Sequence, residues 1–157
     1  MQIGQRVATS DDIELIAQLY ESAAAEQAAL REAWPIADGL AEPVNETLAG
    51  VLTDDDAHLV VGTIDEVVVG FALSTLDELL PQAEGERVGV VRLIYVAEPA
   101  RAVGVGEGML DGMMQWFRDR DIKRFDAIVS PGHRLAKNFF ESAGFKARRI
   151  TMYRHDG

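Results

Sequence analysis

Between Val88 and about Asp119 the chain passes from an apolar strand through a proline turn and a glycine turn into a helix. No other stretch constrains the fold as tightly. Val88 to Val96 is rich in β-branched residues, the signature of a largely buried strand. Glu98 and Pro99 break it. From about Gly104 to Asp119 the apolar residues Val105, Met109, Met113 and Phe117 then recur on one helical face. A strand that hands over directly to an amphipathic helix needs a sheet beneath that helix, which points to a mixed α/β layer architecture.

The connection itself, Arg101-x-x-Gly104-x-Gly106, has chemical meaning. Glycines without side chains let the backbone come close to a ligand. The first free N–H groups of the helix and the positive end of its dipole then face bound phosphates. A plain strand-to-helix connection would also use glycine, so Gly-x-Gly alone leaves both readings open.

The remaining chain repeats the same grammar. Gln2 to Val7 reads as a short strand, with Thr9 or Ser10 capping a helix whose first turn holds Asp11 and Asp12. Ile13, Ile16, Ala17, Tyr20 and Ala24 recur at helical spacing, and the pattern fades towards Trp34 and Pro35. Pro43 to Leu52 reads as a second helix. His58 to Ile64 and Val67 to Leu73 form a hairpin about Asp65-Glu66. Phe125 to Val129 is a further strand, His133 to Ser142 a helix stopped at Gly144, and Phe145 to Tyr153 a last strand region. With no repeat, linker or low-complexity tract, residues 1–157 read as a single domain.

Composition narrows the chemistry. The absence of cysteine excludes disulfides, thiolate metal sites and a cysteine nucleophile. No apolar run approaches the ~18 residues of a membrane span, and the N-terminus shows no signal pattern, so a cytoplasmic protein without a membrane partner is the expectation. The net charge of −11 is unevenly spread: residues 1–117 hold 21 acidic and 5 basic residues, residues 118–157 hold 5 and 10. A chain this acidic is poorly suited to nonspecific nucleic-acid binding, which depends on neutralising phosphates. Its two ends suit partners of opposite charge, although solubility alone also accounts for the acids.

Arg101-x-x-Gly104-x-Gly106, after a strand ending Ile94-Tyr95-Val96, resembles the acyl-CoA-binding motif of the GNAT (GCN5-related N-acetyltransferase) superfamily. Ala136-x-x-x-Phe140-Glu141-Ser142-Ala143-Gly144-Phe145 resembles that family's second signature. Arg6 to Asp12 looks like its first strand running into its first helix. The resemblance covers essentially the whole chain. It implies the GNAT fold, a mixed central sheet of about six or seven strands with about four helices. It also implies an N-acetyltransferase that uses acetyl-CoA as co-substrate and needs no metal.

That resemblance assigns roles. The backbone of Ile94, Tyr95 and Val96 would pair with the pantetheine arm and polarise the thioester. The amides of Arg101, Ala102, Val103, Gly104, Val105, Gly106 and Glu107 would surround the pyrophosphate. Arg134 and Lys137 would reach the remaining phosphate, and Trp34 and Pro35 would lie at the acceptor pocket; solvated helix face and hydrophobic packing are their bland counterparts. The sequence also departs from the family pattern. Where the family often has a glutamate base the chain offers Arg92 and Leu93, and where it often has a tyrosine acid the chain has Phe140. His133 stands where asparagine is usual, able to act as a base, to bond pantetheine or simply to start a helix.

The two losses are unequal. Deprotonating a lysine-like amine of pKa ~10.4 at pH 7 costs ~4–5 kcal/mol, whereas a thiolate of pKa ~8.5 departs with little help. The catalytic base is therefore unassigned. The resemblance puts the acceptor side at the first two helices, where Glu21, Glu26, Glu32, Asp38, Glu42 and Glu46 stand against only Arg31, so the leading expectation is an N-acetyltransferase acting on a small cationic amine or peptide amine. A non-catalytic acyl-CoA-binding or regulatory module on the same fold is the alternative. The sequence fixes no oligomeric state, and a homodimer stays open.

Overall fold

The protein is described by a computed structural model at residues 1–31 and 34–157. Five strands form one sheet in the order β1 (Ile3–Val7), β2 (Ala57–Ile64), β3 (Val67–Glu78), β4 (Arg87–Val96) and β5 (Arg124–Ala127). The first four are antiparallel neighbours, and β5 joins β4 in parallel. The β2–β3 hairpin turns at Asp65 and Glu66, both at positive φ (48° and 69°). Four helices complete the fold: α1 (Ile13–Leu30), α2 (Val44–Leu52), α3 (Val105–Arg118) and α4 (Arg134–Ser142).

Each sheet face has its own core, set by strand alternation. Val60, Ala72 and Val91 meet Val105, Met109, Met113 and Phe117 of α3, together with Phe140 of α4. Leu59, Val61, Phe71 and Leu73 meet Ile16 and Leu19 of α1 and Leu48 of α2. A β-carbon added at Gly89 would stand 2.6 Å from the Phe117 ring, so this glycine lets α3 lie close on the strands. The stripe expected on α3 is thus the buried one. On α1 the stripe runs through Ile16, Leu19, Ala23 and Glu26, and Ala24 is exposed. The helix stops at Leu30, short of Pro35, and its last residues, Ala28 to Leu30, are exposed.

One expected element is missing. Phe145 to Tyr153 forms no ladder with any described strand. Arg148 reaches Asp126 of β5, Nε donating to Oδ1 at 2.7 Å, yet the backbone does not pair. Neither alternation of this segment is apolar: Ile150 and Met152 share their parity with Lys146 and Arg148, and both are exposed. With no face to bury, the segment gains little from joining the sheet. The described sheet therefore has five strands rather than six or seven.

Candidate active site

The site begins where β4 and β5 part. Val91 is the last β4 residue paired with β5, opposite Ala127, and its carbonyl also accepts from Ile128 N at 3.1 Å. Beyond it, among the described residues, β4 keeps only β3 beside it, as far as Val96 opposite Gly70. Residues 92–97 are accordingly half-buried, after a fully buried run at 88–91. Here lies an open strand edge inside the fold.

At the same place β4 carries a bulge. Leu73 faces Leu93 and Ser74 faces Val91, leaving Arg92 as the extra residue. The bulge reverses the alternation: Ile94 and Val96 join Val91 on the α3 face, while Leu93 and Tyr95 turn to α1 and α2. Arg92 donates from Nε to Thr75 Oγ1 at 2.7 Å and pairs with Asp77. The position examined for a base thus carries a cation already engaged.

Beyond Val96 the chain makes a 3-10 turn (Glu98–Ala100), then bends at Ala102 (φ 66°) and Gly104 (φ 102°) into α3. Gly104 is the N-cap and has no side chain to cap the helix. Among the described residues, the amides of Ala102, Val103, Gly104, Val105, Gly106 and Glu107 have no backbone acceptor; the first helical bond is Gly108 N to the Gly104 carbonyl at 3.0 Å. Six such donors at the positive end of a 14-residue helix have the geometry to hold an anion. The two glycines differ in purpose. A β-carbon at Gly104 would meet nothing within 4 Å, so its backbone angle is what calls for glycine. At Gly106 a β-carbon would stand 3.2 Å from the Phe139 ring, so that glycine eases the close packing of α3 on α4. Val105 is buried and offers only its backbone, whereas Glu107 is exposed.

Arg101 points elsewhere than into the turn. Its Nε donates to the Val96 carbonyl at 2.8 Å, and its Nη1 and Nη2 grip Glu26 Oε1 and Oε2 at 2.7 Å each. The Tyr95 hydroxyl donates to Glu26 Oε2 at 3.1 Å, and the Arg101 guanidinium lies 5.3 Å from the centre of the Tyr95 ring. The Arg101 hydrogen bonds hold the Glu26 carboxyl below its usual range, against partial burial. Burial first, and Glu26 second, push the Tyr95 phenol up. The sequence places Glu26 among the acids of the acceptor side and gives it no partner. The signal was its place at +3 and +4 steps from Ile16, Leu19 and Ala23, a carboxylate on the buried stripe.

The other singled-out residues take plainer positions. His133 caps α4, its Nδ1 accepting from Ala136 N at 3.2 Å, so a neutral ring carries its proton on Nε2. Phe140 is 4% exposed and packs edge-on against Phe139 and Phe145 (ring centres 5.1 and 5.4 Å). Arg134 and Lys137 are exposed, Lys137 near Glu141. Trp34 stacks on Tyr153 with ring centres 4.6 Å apart, joining the α1–α2 connection to the C-terminal segment. Glu21, Asp38, Glu42 and Glu46 are exposed; Glu32 lies outside the described residues. No described helix is long and apolar enough to cross a membrane.

A bulged strand leaves its parallel neighbour and runs through a glycine turn into a helix, in a single mixed α/β fold. The chain belongs to the acetyltransferase (GNAT) family, whose model matches residues 16–145. Solved structures agree on the fold. A transcriptional regulator from Bacillus halodurans C-125 is 19% identical, with a TM-score of 0.80 over 99% of this chain and 100% of that one. AAC(6')-Iy, in complex with the bisubstrate analogue CoA-S-monomethyl-acetylneamine, is 18% identical, with a TM-score of 0.75 over 100% of each chain. A ribosomal-protein-alanine N-acetyltransferase from Brucella melitensis biovar Abortus 2308 is 17% identical, with a TM-score of 0.71 over 99% and 100%. No curated protein matches the chain significantly in sequence.

Proposed function

We propose that the protein transfers an acetyl group from acetyl-CoA to a small cationic amine by direct attack. The observation that carries this reading is the row of six unpaired amides from Ala102 to Glu107 beside the open edge of β4. These amides bind the pyrophosphate, and the free edge of β4 near Ile94 and Tyr95 accepts the pantetheine arm as a strand. Acetyl-CoA supplies a thioester whose carbonyl carbon is open to attack. The amine lone pair forms the new C–N bond, the C–S bond breaks, and the electrons leave with sulfur as a thiolate. The proton lost by nitrogen passes to water. Phe140 is buried among aromatic rings and offers no proton to the thiolate. A thiolate of pKa ~8.5 needs none at neutral pH.

The acceptor's charge follows from the first two helices and their connection. Glu21, Asp38, Glu42 and Glu46 are exposed there, with Arg31 as the exposed cation. Glu26 is matched by Arg101 and adds little to the field outside. An acidic mouth concentrates cations and speeds their encounter, more at low salt. It also stabilises the ammonium form, so water leading to carboxylates becomes the route for the proton. The test is thiol release from acetyl-CoA for a dicationic and a zwitterionic amine over a range of ionic strength. We expect the dication to be preferred and its kcat/KM to fall with salt. Preference for the zwitterion, or salt independence with the dication, refutes the charge argument. A second reading, a non-catalytic acyl-CoA-binding module, is favoured by Arg92 and Phe140 standing where acid–base groups were sought. Acetyl-CoA binding without thiol release from any amine would establish it.

A further inference from the structure

We propose that Glu26 is a positioning residue for the donor turn: by gripping Arg101 it fixes where the Ala102–Glu107 turn begins and ties that turn to α1. The inference rests on the acetyl-CoA reading above and assigns a role to a residue outside both family-like motifs. Arg101 spends all three guanidinium nitrogens on fixed partners, one on the Val96 carbonyl and two on Glu26. Paired forks of this kind hold direction as well as charge. The side chains of Arg101 and Glu26 are 24% and 33% exposed, so the pair is partly shielded, unlike an ordinary surface ion pair.

The turn needs such an anchor. Among the described residues, the amides of Ala102, Val103 and Gly104 bond to no backbone acceptor, and Ala102 sits at φ 66°. An alanine in that region is strained and stays there only when its surroundings demand it. The residue directly before it is Arg101, whose side chain folds back onto the end of β4 and onto a helix 75 positions away in sequence. Glu26 receives three donors, and a carboxylate so stabilised is a poor base. Its work is therefore geometric. Because α1 also forms the acidic side of the mouth, the same contact couples donor geometry to acceptor geometry.

A double-mutant cycle tests this with Glu26→Gln, Arg101→Gln and the double variant. The readouts are acetyl-CoA Kd by calorimetry, thermal midpoint, and kcat and KM for thiol release. Glu26→Gln should raise Kd roughly tenfold, the scale of one charge-assisted hydrogen bond. KM for acetyl-CoA should rise in step, with kcat at saturation changed less than threefold. The double variant should bind no more weakly than Arg101→Gln alone. Should Glu26→Gln not fold, Glu26→Asp, which withdraws the carboxylate, carries the test with a rise of at least threefold. Unchanged Kd in a folded Glu26 variant, additive losses in the cycle, or a fall in kcat alone would overturn the positioning role. Failure of the unaltered protein to bind acetyl-CoA would instead overturn the functional reading and this inference together.

Discussion

Gly104→Ala separates two consequences that a single glycine substitution usually confounds, because the fold contains a matched control. Gly104 has φ 102° and Gly85 has φ 88°, and a β-carbon at either meets nothing within 4 Å. Alanine therefore causes backbone strain without a clash at both sites. Forcing a non-glycine residue to positive φ costs roughly 1–2 kcal/mol, offset by about 0.4–1 kcal/mol through restriction of the unfolded chain. The net loss is about 1 kcal/mol, or about 2–4 °C in Tm for a domain of this size. Gly85 precedes β4 and Gly104 follows it, so the ten residues of that strand, roughly 30 Å, lie between them.

On the proposed function, only Gly104 belongs to the turn that binds the donor. Relaxing its φ towards negative values rotates the adjoining peptide planes and misdirects amides that must converge on one anion. Losing one such charge-assisted hydrogen bond costs about 1.5–3 kcal/mol, which is about 10- to 100-fold in affinity. Calorimetry with acetyl-CoA and a thermal scan of the two variants read both quantities. We expect equal losses of Tm and a weakened Kd only for Gly104→Ala. Equal affinities in the two folded variants, or an equal fall in both, would refute the assignment of the turn.

Other expectations follow from the packing and the ion pairs. Phe140→Ala removes a buried ring and should cost about 3–5 kcal/mol of stability. Phe140→Tyr should change turnover at pH 8 less than about tenfold, ~1.4 kcal/mol in barrier, since a rise of a hundredfold would mean that an acid had been limiting. Asp12 accepts from Arg6 at 2.7 and 3.0 Å and from Thr9 N at 2.8 Å, and Arg6 chiefly draws its pKa from 3.8 to about 2. That stability is fully present above pH 3.8 and fades as pH falls through 2; Arg6→Met should thus cost about 1–2 kcal/mol at pH 7 by urea unfolding, and almost nothing near pH 2. Burial, with Arg120 second, lowers His58 from 6.5 to about 4 against Trp116, 4.8 Å away. Its neutral ring favours the folded state above pH 6.5, and that advantage drains away towards pH 4. A His58→Gln variant should lose this slope, and an unchanged slope would disprove the attribution.

What the sequence reveals, and where it stops, has a consistent physical cause. The α3 stripe and the β2–β3 hairpin were legible because each is set by residues within one or two turns of chain. The glycine turn was legible for the same reason, although only the backbone shows that Gly104 answers to conformation and Gly106 to Phe139. The bulge at Arg92 was not, since Val-Gly-Val-Val-Arg-Leu-Ile-Tyr-Val reads as one apolar run and period-2 counting cannot locate an extra residue within it. Its consequence is large. Without the bulge Tyr95 would share the face of Val91, away from Glu26. The last strand fails in the opposite way: β-branched and aromatic residues suggest it, but neither alternation gives it an apolar face. Glu26 was missed because its meaning lies in a partner 75 residues away, and local pattern has no access to that distance. The row of unpaired amides, set by the backbone of one short turn, is thus written locally. The Glu26–Arg101–Tyr95 contacts depend on side chains that the bulge and α1 bring together, and they have to be read from the assembled fold.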